Sequence, residues 1–240
     1  RPTTRCCVRL MTSTVGNGHD GAVTNTDAAE VARHIERGRD RVAARLGAAA
    51  ARTRREPMGP LEQLDEIGAL LGAVVGNITP DQLDNATPCE KYAVRDVLGH
   101  MIGGATAFAA AFRGQDAAAP PEGDELANFG PVLGELMTAI NEKGALERTV
   151  EAPFGAVPGD TFARFVALDG LVHGWDMATA TGQSYAPSDA LVAEVTAFAA
   201  GALDPLRDGD TFAVATDVAT DATPIEQLAA LTGRRVSTEA

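Results

Sequence analysis

The sequence predicts an all-α fold, an antiparallel four-helix bundle with a short hairpin and a small C-terminal extension. Three observations point there. From Met58 onward, apolar residues recur at spacings of three and four, the period of one helix face. The segments with that period reach about 20 residues, or roughly 30 Å, and Gly, Pro and acidic residues punctuate them; helices of that length with lateral loops bury their stripes against one another. The core must be aliphatic, because 45% of the 240 residues are hydrophobic and only 5% are aromatic.

Residues 1–26 mix Thr, Gly, Asn and Asp without either hydrophobic period and are expected to be disordered. Asp27 to Arg55 is rich in helix formers, with apolar Val31, Ile35, Val42 and Leu46 and an interruption at Gly38. Its acidic residues argue against a transit peptide. Residues 1–57 are therefore read as a basic extension that the bundle, residues 58–240, does not need. Pro60 to Val75 places Leu61, Leu64, Ile67, Leu71 and Val74 on one stripe and stops at Gly76-Asn77. Val94 to Phe112 repeats the pattern with Val97, Leu98, Met101 and Ile102.

After the loop Gly114 to Asp124, a third helix is expected over Leu126 to Leu146, with Pro131 near its first turn. Thr149 to Val157 is β-branched at its ends and centred on Pro-Phe-Gly, which predicts a small hairpin. From Asp160 the run Phe162, Phe165, Val166, Leu168, Leu171 and Val172 predicts a helix that ends at Gly182. Ser188 caps a further helix through Leu203. The tail has one short apolar alternation, Thr211 to Val214, and a last helical turn or two over Pro224 to Leu231.

Charge narrows the function classes. Residues 1–57 hold 11 Arg against 6 acids, whereas the remaining 183 residues hold 9 bases against 27 acids, a net of −18. A body of that sign repels a phosphate backbone and an anionic bilayer, so neither nucleic acid nor membrane is an expected partner, and a cation is. No run of about 18 apolar residues is present to span a bilayer. Cys6 and Cys7 are adjacent and Cys89 stands far from them, which is no secreted-type disulfide framework, so the expected compartment is the cytoplasm.

One constellation in the body carries chemistry. His173 has Asp169 four residues before it and Asp176 three after it, so on a helix all three project from one side. That side is also the apolar stripe, and a buried carboxylate is costly unless it is paired or bound to metal. His100 lies among Leu98, Met101 and Ile102 on its own helix. Taken singly, each His reads as a hydrogen-bonded core residue and the Asp169-to-His173 spacing recurs by chance. Together, His100, Asp169 and His173 offer two N donors and one O donor, the composition of a catalytic divalent site with an open position. Asp176 is placed to accept the other ring N–H of His173 or to cap a helix end. Trp175 reads as packing at a helix crossing, with a place on a substrate pocket as the alternative. Cys89 reads as a small buried residue, or as a thiol whose pKa a helix N-terminus lowers.

The stretch Thr87 to Met101 (TPCEKYAVRDVLGHM), followed by Leu171 to Ala178 (LVHGWDMA) and Thr181-Gly182, resembles the metal-binding domain of the mycothiol-dependent maleylpyruvate isomerase family. It is most similar to the short single-domain branch of that family, within the DinB-like helical-bundle superfamily, and the likeness runs from Leu61 to about Gly233. The resemblance implies a bundle that holds a divalent ion, usually Zn2+, on His100, Asp169 and His173. It implies as well a thiol cosubstrate, mycothiol, whose thiolate the metal holds while it attacks an electrophile, as a transferase or an isomerase does. The family's isomerase uses glutamate where this chain has Asp169, one methylene shorter. Relatives follow the aromatic at Tyr92 with Thr where this chain has Ala93, which removes an N-cap hydroxyl at a cost of about 1 kcal/mol. Two other readings use the same residues: a non-catalytic, metal-stabilised bundle serving as a stress-related or regulatory binding module, and hydrolysis by a zinc-bound water. A homodimer is compatible with all three.

Overall fold

The computed structural model describes residues 57–90, 92–152, 155–207 and 213–236, and the helical and disorder expectations for residues 1–56 lie outside them. In chain order the elements are α1 (Pro60–Gly76), a 3-10 turn (Pro80–Gln82), α2 (Val94–Arg113), α3 (Glu125–Asn141), β1 (Thr149–Ala152), β2 (Gly155–Pro158), α4 (Gly159–Thr181), α5 (Asp189–Ala202), α6 (Asp204–Arg207) and α7 (Pro224–Leu231). The described residues are mostly helical, with one two-stranded antiparallel sheet among them that pairs Val150 with Val157. Packing is pairwise: α2 lies along α3 and α1 along α4, with further contacts from α1 to α3 and from α2 to α4.

Helix ends follow local chemistry. Pro60 opens α1 where a missing N–H costs nothing, and Asp124 caps α3 by accepting from the N–H groups of Leu126 and Ala127. At α2 the cap residue is Ala93, yet the Asp96 carboxylate reaches back to accept the Ala93 N–H at 2.9 Å, so half of a capping box survives. Gly114 and Gly182 end α2 and α4 in the left-handed conformation. Ser188 accepts from Leu191 N–H at the start of α5 and in turn donates to Glu66 on α1 at 2.9 Å.

Two sequence expectations are corrected. The third helix stops at Asn141, not Leu146: Glu142 turns extended and Gly144 has a φ of 82°, which ends the run. Pro131, expected near the first turn, sits inside α3, which begins at Glu125. Of the Thr211 to Val214 alternation only Ala213 and Val214 are described, and Val214 is 76% exposed.

The central element is α4. From Phe162 to Ala178 it is buried on nearly every side, as expected of a helix apolar around its circumference. Phe162 meets Phe108 and Phe112 of α2 at centroid distances of 5.3 and 5.2 Å, and Phe165 meets Phe198 of α5 at 4.9 Å. Close approach of α1 needs Gly170, where an added Cβ would lie 3.0 Å from Ile67 Cγ2. The loop before α2 is fastened to the end of α4, with Asn85 Nδ2 donating to Ala180 O at 2.9 Å and Gln82 Nε2 to Thr181 O at 3.3 Å. That fastening sets the register of α2 against α4, and so of His100 against Asp169 and His173.

Candidate metal centre

Asp169 and His173 are one helical turn apart on α4, and His100 faces them from α2. Asp169 Oδ1 lies 3.5 Å from His100 Nε2 and 3.5 Å from His173 Nε2. The two imidazoles meet edge to face at 4.9 Å between centroids. All three donor atoms fall within 4.8 Å of one another, and among the described residues they form the one such group of three. His173 is 1% exposed and Asp169 is 8% exposed, so the cluster is shielded from bulk water.

The other side of His173 is fully paired. Its Nδ1 lies 3.0 Å from Asp176 Oδ2, and Arg234 donates through Nη2 to the same oxygen at 2.9 Å and through Nε to both carboxylate oxygens at 3.3 Å. Asp176 and Arg234 are sealed from solvent at 0% and 1% exposure. Burial works against an ionised Asp176, but the Arg234 guanidinium and then His173 outweigh it and hold the carboxyl below the usual range. An ionised Asp176 accepts, so His173 Nδ1 carries the hydrogen and Nε2 presents a lone pair.

That arrangement leaves a conflict at the centre. Burial lowers His173 below the ordinary histidine value, which keeps the ring neutral. Asp169 feels burial pushing it up, yet the two imidazoles beside it, His173 and then His100, bring it below the usual carboxylate value. At His100 burial opposes the charged form, but the Asp169 carboxylate 3.5 Å from its Nε2 prevails and raises it. The result is an acceptor oxygen facing an acceptor nitrogen, and both Asp169 Oδ1 and His173 Nε2 are buried without a hydrogen-bond partner. Buried acceptors left unsatisfied cost about 1–3 kcal/mol each, and a cation between them removes that cost. Two donors bound at about 2.1 Å around a tetrahedral ion lie about 3.4 Å apart; Asp169 Oδ1 stands near that distance from each imidazole nitrogen, whereas the set as a whole spreads to 4.8 Å, so the two rings would draw together around an ion.

Sequence reasoning placed His100, Asp169, His173 and Asp176, and the structure brings all four together. It missed Arg234, which arrives from beyond α7 after Gly233, a residue with a φ of 90°. The available signal was scarcity, since the body has only 9 bases and this one follows an apolar helix and a turn glycine. Trp175 and Cys89 are buried, at 7% and 0% exposure, and neither lines the cavity beside Asp169.

Fold and site together define a helical domain with a buried His–Asp–His cluster backed by an Asp–Arg pair. The family model described as the mycothiol maleylpyruvate isomerase N-terminal domain matches residues 64–153, a span that includes His100 and stops short of Asp169 and His173. Two uncharacterized proteins of Mycobacterium tuberculosis, Rv0738 and MT0763, are each 32% identical over 189 residues, covering 75% of this chain and 100% of their own length. The chain belongs to the mycothiol maleylpyruvate isomerase N-terminal domain family. No solved structure matches it.

Proposed function

We propose that this protein is a DinB-like four-helix bundle that binds a divalent ion, zinc by preference, and acts with a low-molecular-weight thiol of the mycothiol type as an S-transferase or isomerase in the cytoplasm. One observation carries the reading: Asp169 Oδ1 and His173 Nε2 face each other at 3.5 Å, buried and without hydrogen-bond partners. His100, Asp169 and His173 would hold the ion. Two imidazole nitrogens and a carboxylate oxygen are a donor set that suits zinc. A divalent metal bound there supplies the positive charge that turns a thiol into a thiolate at neutral pH.

The chain's own residues do the remaining work. Asp176 and Arg234 orient the His173 ring, and the apolar packing around α4 keeps water from the donors. A purely structural metal site would call for a fourth protein donor. Among the described residues no fourth His, Cys, Asp or Glu joins the three, and Asp169 borders a cavity, which supports an open position.

The test is metal analysis of untagged protein beside His173→Ala. The wild type should retain close to one equivalent and the variant almost none, and equal content in the two sinks the site. Cobalt-substituted protein should then change its visible spectrum on adding mycothiol. A spectrum that mycothiol leaves unmoved removes the thiol chemistry while the metal site stands.

A further inference from the structure

Arg113 closes α2, and its guanidinium donates through Nε to Glu142 at 2.7 Å and through Nη2 to Glu135 at 3.3 Å. α2 and α3 thus end side by side, so the connection between them, residues 114–124, has to run back along the pair before α3 can begin. It is fastened at its two ends. The Gln115 N–H donates to Ala110 O at 2.9 Å, and Asn128 Nδ2 donates to Glu122 O at 3.3 Å. Residues 116–121 between those anchors are exposed. Against them lies a cavity of about 350 Å³, and pockets that hold small organic ligands begin at about 300 Å³. Its apolar lining is Ala109 and Ala110 of α2, Pro131 and Val132 of α3, and Ala118 and Pro121 of the connection.

The polar lining sorts the ligands. Arg113 is its one base, and carboxylates already hold that guanidinium on two sides, while Asp116 and Glu135 line the same space. An anion would have to take the guanidinium from those carboxylates and face Asp116 as well, on a body of net −18. Thr106 also lines the cavity, but its hydroxyl donates to Ile102 O at 2.9 Å and leaves no donor for an anion. A cation meets the opposite field, and the alanines and prolines offer an apolar body a surface to cover.

We propose that the chamber against residues 116–121 binds a small organic cation, an amine or a guanidine on a compact apolar body, with Asp116 and Glu135 against the charge and Ala109, Ala110 and Val132 against the body. The proposal stands apart from the metal and thiol reading, because none of His100, Asp169 and His173 lines this chamber. Asp116 is exposed, so water and salt screen its attraction, and the preference for charge amounts to a few-fold. The apolar contact supplies the rest.

Benzylamine, benzyl alcohol and benzoate share one ring and differ in charge. The full chain at neutral pH, kept in chelator so that no amine binds through a metal, is titrated with each while backbone amide NMR signals are followed. Benzylamine should shift the amides of Ala109, Ala110, Gln115 and Ala118 saturably, with a dissociation constant in the millimolar range, and leave those of Gly174 and Trp175 still. Benzyl alcohol should bind about three- to fivefold more weakly, and benzoate at least tenfold more weakly. High salt should close the gap between amine and alcohol. Asp116→Asn should bring the amine close to the level of the alcohol and leave the alcohol unchanged. Ala110→Leu fills the chamber from a partly exposed helix position, and should weaken amine and alcohol together at least tenfold while the circular dichroism stays that of the wild type. The proposal is overturned if benzoate or benzyl alcohol binds as tightly as benzylamine at low salt, if Asp116→Asn leaves the amine unaffected, if folded Ala110→Leu binds like wild type, or if the chamber's amides do not shift.

Discussion

Arg234 sets its guanidinium on the Asp176 carboxylate at 2.9 Å, 58 residues along the chain and wholly out of water. The segment after α7 thereby reaches the back of His173 and becomes part of the centre's support. Gly233 makes the approach possible, since its φ of 90° is open to glycine and strained for other residues.

Removing the guanidinium should cost more than the pair is worth. Arg234→Ala leaves an uncompensated buried carboxylate, and breaking a buried pair in this way costs about 3–5 kcal/mol. Urea unfolding of the metal-free protein checks it. Arg234→Lys should recover only part of the loss, because an ammonium cannot fork onto both oxygens.

Asp176→Asn should lower metal affinity by about 10–100-fold, the usual effect of losing the partner that orients a ligating imidazole. Competition with a chromogenic chelator measures it. An unchanged affinity would show that His173 is held by packing alone.

Acid should act on the two histidines with opposite signs. His173 is lowered from 6.5 by burial, so the unfolded chain takes up its proton first and stability falls as pH drops below about 6.5. His100 is raised by Asp169 despite its burial, so its contribution is present in full below about 6.5 and is lost as pH climbs through the raised value. In metal-free protein, His173→Gln should therefore flatten the decline in stability between pH 7 and 5, and His100→Gln should steepen it. Unfolding curves at half-unit intervals give both slopes.

Chelation should lower the melting temperature in a metal-dependent way. At a free metal concentration one hundred times the dissociation constant, binding adds about 2.7 kcal/mol to stability. The difference between stripped and reloaded protein should vanish in His173→Ala.

Gly174 is occupied from outside α4 by Tyr185, whose hydroxyl donates to Leu171 O at 3.0 Å. An added Cβ would collide with that hydroxyl. Gly174→Ala should destabilise the protein by about 1–3 kcal/mol, as overpacking does, even though alanine is the better helix former. Thermal unfolding decides it, and a rise in midpoint would mean Tyr185 moves aside freely.

Much of this was legible from residues alone. The limits of α1, α2, α4 and α7 match their capping and stop signals to within a residue or two, because those signals are local: Pro60 and Pro224 at helix starts, Gly114 and Gly182 at helix ends. The third helix ends short of its expected limit because no proline or glycine stands between Gly134 and Gly144 to mark the exit at Glu142, which depends on the connection into the hairpin. The four-residue spacing of Asp169 and His173 put two donors on one face. The same counting along α4 marked Asp176, since positions three apart on a helix are neighbours wherever the helix sits.

The helical segments, the sign of the body's charge and the candidate donor residues can be read from local sequence, because each depends on residue type and on neighbours within about one helical turn. Folding in three dimensions is what sets His100 3.5 Å from Asp169, closes the far side of His173 with Arg234, and borders Asp169 with an apolar cavity. Those are contacts between segments tens of residues apart. They are set by how α1, α2 and α3 pack on α4 and by the turn at Gly233, and no local spacing encodes them.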